Sequence, residues 1–247
     1  MQVVAIFGPT GVGKTGVAVA LAELLRERGE DPVAISCDAL QVYEGLETLT
    51  GVASPQERER LEHRLIGFIP VDQPFSVGDY MPLAHAEIDA ALEAGRRPIV
   101  VGGTGLYLRA ALAELSLVKA EPESEDSELW SPDTRHPAVI FGLDMDREEL
   151  YRRIDARTEA IVAAGAREEV LRAEALGPSR TARVALGFDE LLAGDVELMK
   201  KRSRNYARRQ LTWMRKIPNL HWIDRTGRGD SAIAAEICSS LPSFYTT

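Results

Sequence analysis

A phosphate-binding loop close to the start of the chain constrains the fold more than any other stretch. An apolar run at residues 3–7 leads into Gly8-Pro9-Thr10-Gly11-Val12-Gly13-Lys14-Thr15. This spacing is G-x-x-x-x-G-K-[ST], with a predicted strand before it and a predicted helix after it. The glycines let backbone N–H groups turn inward around an anion, and the helix N-terminus adds its positive dipole end. The motif therefore predicts binding of a phosphate chain, with Lys14 at the outer phosphate and the Thr15 hydroxyl on Mg²⁺.

The length and composition of the chain limit the classes of protein to which it can belong. The chain has 247 residues, enough for one α/β domain or two small ones, with 45% apolar residues and a formal net charge of -9. A protein this acidic can contact nucleic acid only through a local basic patch. Cys37 and Cys238 have no metal-binding spacing, no apolar run could span a membrane, and the phosphate loop interrupts any signal sequence. We therefore expect a cytoplasmic protein with no membrane association.

Short apolar runs alternate with amphipathic helical patterns along the chain. Continuous apolar runs are typical of parallel strands buried on both faces. The predicted strands are residues 3–7, 33–37, 65–69, 98–101, 138–143 and 220–223. The most regular predicted helices are residues 13–28, 76–94, 146–164 and 166–176. The pattern predicts one domain over residues 1–247, a P-loop NTPase-like parallel sheet flanked by helices, with a basic helical C-terminal region.

An aspartate stands at the end of the second predicted strand. Asp38 follows the run Val33–Cys37, and ligands in open α/β sheets bind beyond the carboxyl ends of the strands. Asp38 is therefore expected beside the phosphate loop. It could cap a turn there, or it could act as a general base or as an indirect ligand of Mg²⁺.

A second glycine-rich turn follows the strand predicted at 98–101. Gly102-Gly103-Thr104-Gly105 permits another close approach of the backbone to a ligand. No Asp or Glu follows this strand, although a standard ATPase holds its Mg²⁺ with an acid at such a position. The phosphate loop therefore lacks the usual acidic partner of an ATPase.

Two arginines lie on one side of the helix predicted at 146–164. Arg153 and Arg157 are four residues apart, so they project from the same face. They either form a solvated edge paired with Glu149 or Asp155, or they close on phosphate from the side opposite the loop.

The last basic segment is long and contains no acid. Residues 200–216 hold eight basic residues, with Tyr206 and Trp213 between them. A solvated helix face would normally mix charges of both signs, whereas a basic helix with aromatic residues suits contact with an RNA backbone and its bases. The segment therefore predicts a local footprint for nucleic acid on an acidic protein.

Six sequence segments together are far more specific than the loop alone. They are GPTGVGKT, SCDALQVYEGLETLTG, HRLIGFIPVDQPFSVGDY, RRPIVVGGTGLYLRAAL, REELYRRIDAR and RNYARRQLTWMR. In this order, over residues 3 to about 224, they resemble the tRNA dimethylallyltransferases, the IPP transferase family. The resemblance implies transfer of a dimethylallyl group from dimethylallyl diphosphate to the exocyclic amine of the adenosine 3′ of the anticodon, with release of diphosphate.

The resemblance also implies roles for single residues. The diphosphate would be held by Gly8, Thr10, Gly11, Gly13, Lys14, Thr15 and Arg157, with Mg²⁺ on Thr15. Asp38 would accept a proton from the attacking amine as general base, and the catalytic set would be completed by Lys14, Thr15, Arg157 and Thr104. Gln41 would read the adenine, and segment 200–216 would hold the anticodon arm. Contacts with adenine and tRNA would come from Thr10, Asp38, Ala39, Leu40, Gln41, Thr104, Arg208, Arg209, Gln210 and Trp213.

The interval before the strand at 138–143 departs from the family pattern. Family members usually carry a helical insertion there that grips tRNA and includes an H-P-N-D-x-x-R motif, but here only residues 114–137 fill it. Residues 120–133 contain six acids and no base. We interpret residues 117–137 as a short acidic loop in place of the insertion, with Trp130 available to dock it on the body. We expect a compact protein that acts as a monomer.

Three other functions fit parts of the pattern. An adenylate dimethylallyltransferase would use the same donor with a free nucleotide as acceptor, but it would not need the basic segment at 200–216. A small-molecule kinase would hold ATP on the phosphate loop and use Asp38 as base for a hydroxyl acceptor. An RNA-binding protein without activity would not need Lys14, Thr15, Asp38 and Arg157 intact.

Overall fold

Six parallel strands form the centre of the molecule. The computed structural model describes residues 1–116 and 128–242. The strands are β1 (Val3–Phe7), β2 (Pro32–Ser36), β3 (His63–Arg64), β4 (Arg97–Gly102), β5 (Ala138–Asp144) and β6 (Leu220–Asp224). They lie in the order β3-β2-β4-β1-β5-β6, and every neighbouring pair is parallel. The predicted α/β fold with a P-loop NTPase-like sheet is confirmed.

Helices cover the sheet and build most of the C-terminal third. They are α1 (Lys14–Glu27), α2 (Glu47–Thr50), α3 (Pro55–Arg60), α4 (Val77–Glu93), α5 (Gly105–Leu112), α6 (Arg147–Ala163), α7 (Ala166–Ala175), α8 (Arg180–Arg183), α9 (Phe188–Ala193), α10 (Val196–Met214) and α11 (Asp230–Ser240). The four most regular predicted helices are present within two residues at each end. In the described parts of the chain, none of the helices has the length and apolar character needed to cross a bilayer.

The two faces of the sheet bury separate apolar clusters. Successive side chains of a strand point to opposite faces. In β1, Val3, Ala5 and Phe7 therefore join a cluster with α4 and α5, whereas Val4 and Ile6 join one with α1 and α11. Burial on both faces explains why this strand is a continuous apolar run, and it places the end of β1 at a fixed point in the middle of the sheet.

The prediction of a strand at residues 65–69 is wrong. Extended pairing stops at Arg64, the last residue of β3, and only an isolated bridge between Tyr43 and Ile69 follows. Leu65 and Gly67 adopt positive φ angles of 58° and 55°. This left-handed backbone conformation is incompatible with a strand, so the apolar residues of the stretch pack as a loop against the core instead.

The segment before β5 docks on α10. Part of the acidic loop predicted at 117–137, residues 117–127, lies outside the described residues. A 3-10 turn at Glu128–Trp130 follows, and the buried Arg109 side chain donates from Nε to the Leu129 carbonyl at 2.9 Å. The Trp130 ring packs on Trp213 of α10 with ring centroids 4.7 Å apart. Trp130 thus attaches the loop to the body, as its position in the sequence suggested.

Candidate active site

A cavity of about 540 Å³ opens at the carboxyl edge of the sheet, beside the phosphate loop. Its volume is in the range of small-molecule binding sites. The walls come from the loop after β1, the segment after β2, and helices α2, α6 and α10. Most of the predicted site residues line it, namely Thr10, Gly11, Gly13, Lys14, Thr15, Asp38, Leu40, Gln41, Arg157 and Gln210.

The remaining predicted residues lie behind this cavity or outside it. Gly8 lies at the end of β1, and its carbonyl accepts a hydrogen bond from Lys14. The Thr104 hydroxyl accepts a long hydrogen bond from the Ala39 N–H at 3.4 Å, which links the turns after β4 and β2. A separate surface depression is lined by Asn205, Arg208, Arg209, Thr212 and Trp213.

The phosphate loop has the backbone that its glycines predict. Gly11 and Gly13 have φ angles of 81° and 87°, which favour glycine over other residues. Lys14 Nζ donates to the carbonyls of Gly8 and Pro9 at 2.9 and 3.0 Å, so the ammonium lies across the loop. Burial lowers the pKa of Lys14 to about 8, and the negative charge of Asp38 opposes this shift. The environment therefore favours a bound anion, which would compensate the buried ammonium.

Arg157 of α6 reaches the phosphate loop from the opposite wall. Its Nη1 donates to the Thr10 hydroxyl at 2.7 Å, and its Nη2 donates to the Thr50 carbonyl at 3.1 Å. Burial lowers the pKa of this guanidinium, and Asp38 opposes the shift, but an arginine remains charged in proteins. The pairing with Glu149 or Asp155 considered from the sequence is absent for Arg157, and the alternative of a clamp facing the loop fits its position.

Arg153 holds the outer side of the loop together with Arg225 and Asp230, two residues that the sequence reasoning did not assign. Arg153 donates from Nε to the Gly11 carbonyl at 3.1 Å. The buried Arg225, directly after β6, donates from Nη1 to the Gly13 carbonyl at 2.9 Å and pairs with Asp230 at the start of α11. Two arginines therefore hold the carbonyls of Gly11 and Gly13 on the outer side of the loop. Arg225 follows a strand end, the same positional signal that identified Asp38.

Asp38 lines the cavity together with the phosphate loop. One of its carboxylate oxygens, Oδ1, accepts the Leu40 N–H at 3.0 Å, which closes a short turn after β2. Its negative charge acts on the ionisable groups of Lys14, Arg157 and Tyr206. The capping and catalytic interpretations of Asp38 are thus compatible, because only one carboxylate oxygen makes the turn and the side chain still lines the cavity.

The inner face of α10 closes the cavity. The buried side chain of Gln210 accepts the Thr10 N–H at 2.8 Å and donates to the Gly103 carbonyl at 2.8 Å, so it joins the two glycine-rich turns. One turn earlier, the Tyr206 side chain also lines the cavity, beside the side chains of Thr104 and Gln210. Burial, followed by the charge of Asp38, raises the pKa of Tyr206 to about 12, which keeps its hydroxyl protonated. Tyr206 was missed as a site residue, although it lies four residues before Gln210.

The outer face of α10 divides into a largely neutralised half at residues 200–204, where Lys201 remains exposed, and a free half at residues 208–209. Lys200, Arg202 and Arg204 pair with carboxylates on neighbouring helices, namely Glu159, Glu190 and Asp155. Arg208 and Arg209 are exposed and have no carboxylate partner in the described part of the chain. Arg208 donates to Asn205, and Arg209 lies 5.5 Å from the Tyr206 ring centroid. The basic surface available to a polyanion is therefore narrower than segment 200–216.

This arrangement suits a reaction in which an anionic group leaves and an attacking group loses a proton. A phosphate loop, a lysine and an arginine surround one end of the cavity and can stabilise negative charge that develops on a leaving group. A carboxylate in the same cavity can accept a proton from an attacking group. Two glutamine amides, Gln41 and Gln210, hydrogen-bond with the surrounding backbone.

Sequence models of known families match almost the whole chain. The model described as "IPP transferase" matches residues 41–136 and 119–217, and the model described as "Isopentenyl transferase" matches residues 1–72. The two segments of the first match meet at residues 119–136, the interval in which the sequence predicts a shortened loop.

Curated relatives and solved structures agree with these matches. The tRNA dimethylallyltransferase of Bifidobacterium adolescentis is 33% identical and covers 90% of this chain and 84% of its own. The tRNA dimethylallyltransferase of Kineococcus radiotolerans is 32% identical over 307 aligned residues, and the alignment covers 98% of this chain and 97% of that protein. The full-length tRNA isopentenylpyrophosphate transferase of Bacillus halodurans superposes with a TM-score of 0.82 at 28% identity, over 96% of this chain and 94% of its own. A eukaryotic dimethylallyltransferase that acts on tRNA shares the fold, with a TM-score of 0.76 at 20% identity.

Proposed function

This chain belongs to the IPP transferase family, and on that premise we propose how its cavity works as a tRNA dimethylallyltransferase. The enzyme transfers a prenyl group to tRNA. The proposed donor is dimethylallyl diphosphate, the proposed acceptor is the exocyclic amine of the adenosine 3′ of the anticodon, and the second product is diphosphate. The observation that carries this proposal is the convergence of Asp38, Lys14 and Arg157 on one cavity, beside a helix that leads to an exposed basic surface.

The loop end of the cavity holds the departing diphosphate. Negative charge builds on the diphosphate as the bond between carbon and oxygen breaks. The backbone N–H groups of the loop, Lys14 and Arg157 meet this charge from two sides, and their positions are set before the reaction by Gly11, Gly13 and the Thr10 hydroxyl. Preorganised donors of this kind are usually the largest contribution to catalysis.

Asp38 receives the proton of the amine. The target adenine must leave its stack to reach a cavity at the edge of the sheet, and unstacking is part of the cost of binding. We place the base between Gln41 and the turn at Thr104, where Asp38 can accept a proton from its exocyclic amine as the new carbon–nitrogen bond forms. The Gln210 amide accepts the Thr10 N–H and holds the loop in position, and the Tyr206 hydroxyl lies beside Thr104.

The residues of the cavity fit a magnesium ion that binds together with diphosphate. Magnesium prefers oxygen ligands and is usually held by one or two protein groups together with substrate phosphates and water. The Thr15 hydroxyl and the Asp38 carboxylate both line the cavity beside Lys14. No cluster of His, Cys, Asp and Glu among the described residues could hold a metal by itself. Thr15 would therefore hold Mg²⁺ jointly with the substrate, and the ion would neutralise part of the diphosphate charge when bound.

The anticodon arm contacts the free half of α10. Arg208 and Arg209 supply phosphate contacts next to the cavity, and Trp213 supplies an aromatic surface. The alignments with relatives extend over 286 and 307 residues, more than the 247 residues of this chain, so the relatives contain segments that it lacks. We propose that the short loop at 117–137 stands in for the family's insertion, and that α10 carries a larger share of the tRNA contact here.

We propose that the protein acts as a monomer in the cytoplasm. The groups assigned to the cavity all come from one chain, so the site needs no second copy. Both cysteines are free and buried, which suits a reducing compartment. Size-exclusion chromatography with light scattering tests the first statement, because a dimer would elute with twice the mass of 27.1 kDa.

Nucleoside analysis of cellular tRNA tests the proposed function. We expect mass spectrometry to detect N6-dimethylallyladenosine, or derivatives of it, in tRNA from cells that express this protein. The same nucleosides should be absent when the gene is deleted and should return with the wild-type gene but not with an Asp38→Asn variant. Identical nucleoside profiles with and without the protein would contradict the proposal.

A further inference from the structure

The cavity has a second end that neither the phosphate loop nor Asp38 explains. Helices α6 and α10 form its two long walls and run antiparallel, as their ion pairs show. Asp155 pairs with Arg204 at 2.5 Å, and one turn further along α6, Glu159 pairs with Lys200 at 2.8 Å. The two helices therefore lie side by side and lead away from the phosphate loop. Their inward side chains can be ordered by their distance from this loop.

The inward side chains change from polar to apolar along both walls. On α10 the cavity residues are Gln210 at the phosphate loop, then Tyr206, Ser203 and finally Met199. On α6, Arg157 at the loop is followed one turn later by Ile161. One turn of helix is about 5.4 Å, and the ion pairs place Met199 level with Ile161, so both lie about one turn beyond Arg157. The far end is thus lined by apolar side chains at a short and defined distance from the diphosphate site.

Four side chains form this apolar end, and the wall behind them is tightly packed. They are Leu49, Ile161, Leu186 and Met199. Leu49 and Met199 are only 4% and 3% exposed. A Cβ added to Gly187 would lie 2.5 Å from Met199 Cε and 2.9 Å from Leu49 Cδ1, so Gly187 leaves the room that these two side chains occupy. A larger side chain at position 187 would displace the ends of Met199 and Leu49.

The wall is also anchored by hydrogen bonds. The carboxylate of the buried Glu169 accepts the N–H groups of Thr48 and Leu49, each at 2.9 Å, at the start of the short helix α2. The side chain of Glu190 accepts the Gly187 N–H at 3.0 Å. Leu49 and Gly187 therefore have fixed backbones, and the wall cannot easily move to admit a longer ligand.

We propose that Leu49, Ile161, Leu186 and Met199 bind the hydrocarbon tail of the prenyl diphosphate and limit it to one isoprene unit. This inference rests on the proposed function. With C–C bonds of about 1.5 Å, the main chain of one unit is about 4 Å long and fits within the turn between Arg157 and Ile161. A ten-carbon geranyl chain would extend into Met199 and the packed wall at Gly187. Met199 is therefore the residue that determines the length of the donor.

Donor competition in matched variants tests this proposal. Transfer to tRNA is measured with dimethylallyl, geranyl and farnesyl diphosphate for the wild type, Met199→Ala and Met214→Ala. Met214 is a matched control because it lies on the same helix and is fully buried, but it does not line the cavity. Pockets discriminate against single carbon atoms by about 10- to 200-fold, so we expect kcat/KM of the wild type for geranyl diphosphate to be at least about 100-fold below that for dimethylallyl diphosphate.

Met199→Ala should raise the ratio of geranyl to dimethylallyl transfer at least about tenfold, whereas Met214→Ala should leave the ratio unchanged. Leu186→Ala, at a partly exposed position, should change the ratio in the same direction and carries the test if Met199→Ala fails to fold. Equal ratios in Met199→Ala, Leu186→Ala and the wild type would overturn the proposed length limit alone. A wild type that transfers no prenyl group from any donor would instead contradict the proposed function.

Discussion

At the scale of single residues, Asp38 carries the largest share of the argument. The end of an apolar strand placed it correctly from the sequence, because parallel strands bring their carboxyl ends to one edge. What the sequence could not show is that one carboxylate oxygen is engaged by the Leu40 N–H while the side chain still lines the cavity. Because the turn and the proposed proton transfer use different features of Asp38, a substitution that changes only one of them is informative.

Asp38→Asn keeps the turn and removes the proton acceptor. The amide oxygen of Asn can accept the Leu40 N–H as Oδ1 does now, so the loop after β2 should keep its conformation. We expect kcat for transfer to fall about 10²- to 10⁴-fold, the usual contribution of a general base, while the affinity for dimethylallyl diphosphate changes less than about threefold. Steady-state kinetics and a direct binding titration measure the two quantities. Near-normal kcat in this variant would remove Asp38 from the role of base.

The ionisation of Lys14 predicts how donor binding depends on pH. Its pKa is lowered by burial to about 8, and a bound diphosphate would raise it again because the anion favours the ammonium. Binding is therefore coupled to the charged form, which is populated below pH 8 and lost above it. A prenyl diphosphate is already fully ionised there, since the second pKa of a phosphate monoester is about 6. We expect the Kd for dimethylallyl diphosphate to be constant from pH 7 to 7.5 and to rise towards tenfold per pH unit above 8.

Isothermal titration calorimetry at constant Mg²⁺ concentration checks this dependence. Titrations at pH 8 in buffers of different ionisation enthalpy should also show proton uptake on binding. A Kd that stays constant between pH 7 and pH 9.5, with no proton uptake, would show that Lys14 is charged throughout and that burial does not lower its pKa.

Arg225 is a positioning residue that the motif alone does not reveal. It holds the Gly13 carbonyl at 2.9 Å from a position more than two hundred residues away in the chain. Hydrogen bonds to charged groups contribute about 1.5–3 kcal/mol, so Arg225→Gln should weaken binding of dimethylallyl diphosphate by about 10- to 100-fold, with a smaller change in kcat. Arg228→Gln is the matched control, because Arg228 pairs with Glu236 away from the phosphate loop. Equal effects of the two variants on KM would rule out a specific role for Arg225.

At the scale of elements, α10 combines two functions on opposite faces. Its inner face supplies Gln210 and Tyr206 to the cavity, and its outer face presents Arg208 and Arg209. The sequence predicted a uniform basic footprint because the carboxylates that neutralise Lys200, Arg202 and Arg204 come from other helices, 12 to 49 residues away in the chain. Charge runs can be read from a sequence, but their partners depend on packing.

Neutralising two basic residues in each half of α10 distinguishes the free charges from the paired ones. Arg208→Ala with Arg209→Ala should weaken tRNA binding and reduce the slope of log Kd against log salt by about 2, one for each phosphate contact. Lys200→Ala with Arg204→Ala removes the same charge from the same helix but should leave that slope nearly unchanged, because these side chains are engaged by carboxylates. Filter binding at several salt concentrations measures both slopes. The same loss of slope in both variants would contradict the division of α10 into two halves.

The loop at residues 65–69 shows where pattern reading of an element failed. The run of apolar residues is real, but Leu65 and Gly67 have positive φ angles that end β3 after two residues. Apolar composition reports burial, whereas the backbone conformation here is set by packing between this loop and the neighbouring segment at Gln41 and Val42, whose carbonyls accept three of its N–H groups. Such contacts between distant parts of the chain leave no periodic pattern of apolar residues in the sequence.

At the scale of the whole molecule, the order of strands explains how distant motifs meet. The phosphate loop follows β1 in the middle of the sheet, β4 lies beside it, and β2 with Asp38 lies beyond β4. Helices α6 and α10, from the last hundred residues of the chain, then cover this edge and add Arg157 and Gln210. The sheet could be predicted from strand patterns and the phosphate loop. The placement of the covering helices could not, because their inward faces carry the mixed polar and apolar residues that a cavity needs.

The most direct test of the whole account is a choice of acceptor by the purified protein. Radiolabelled dimethylallyl diphosphate and Mg²⁺ are supplied with either unmodified tRNA or AMP, and the product is identified by chromatography and mass spectrometry. The account predicts label in tRNA, as N6-dimethylallyladenosine 3′ of the anticodon, with stoichiometric release of diphosphate and no detectable transfer to AMP. Transfer to AMP with none to tRNA would contradict it.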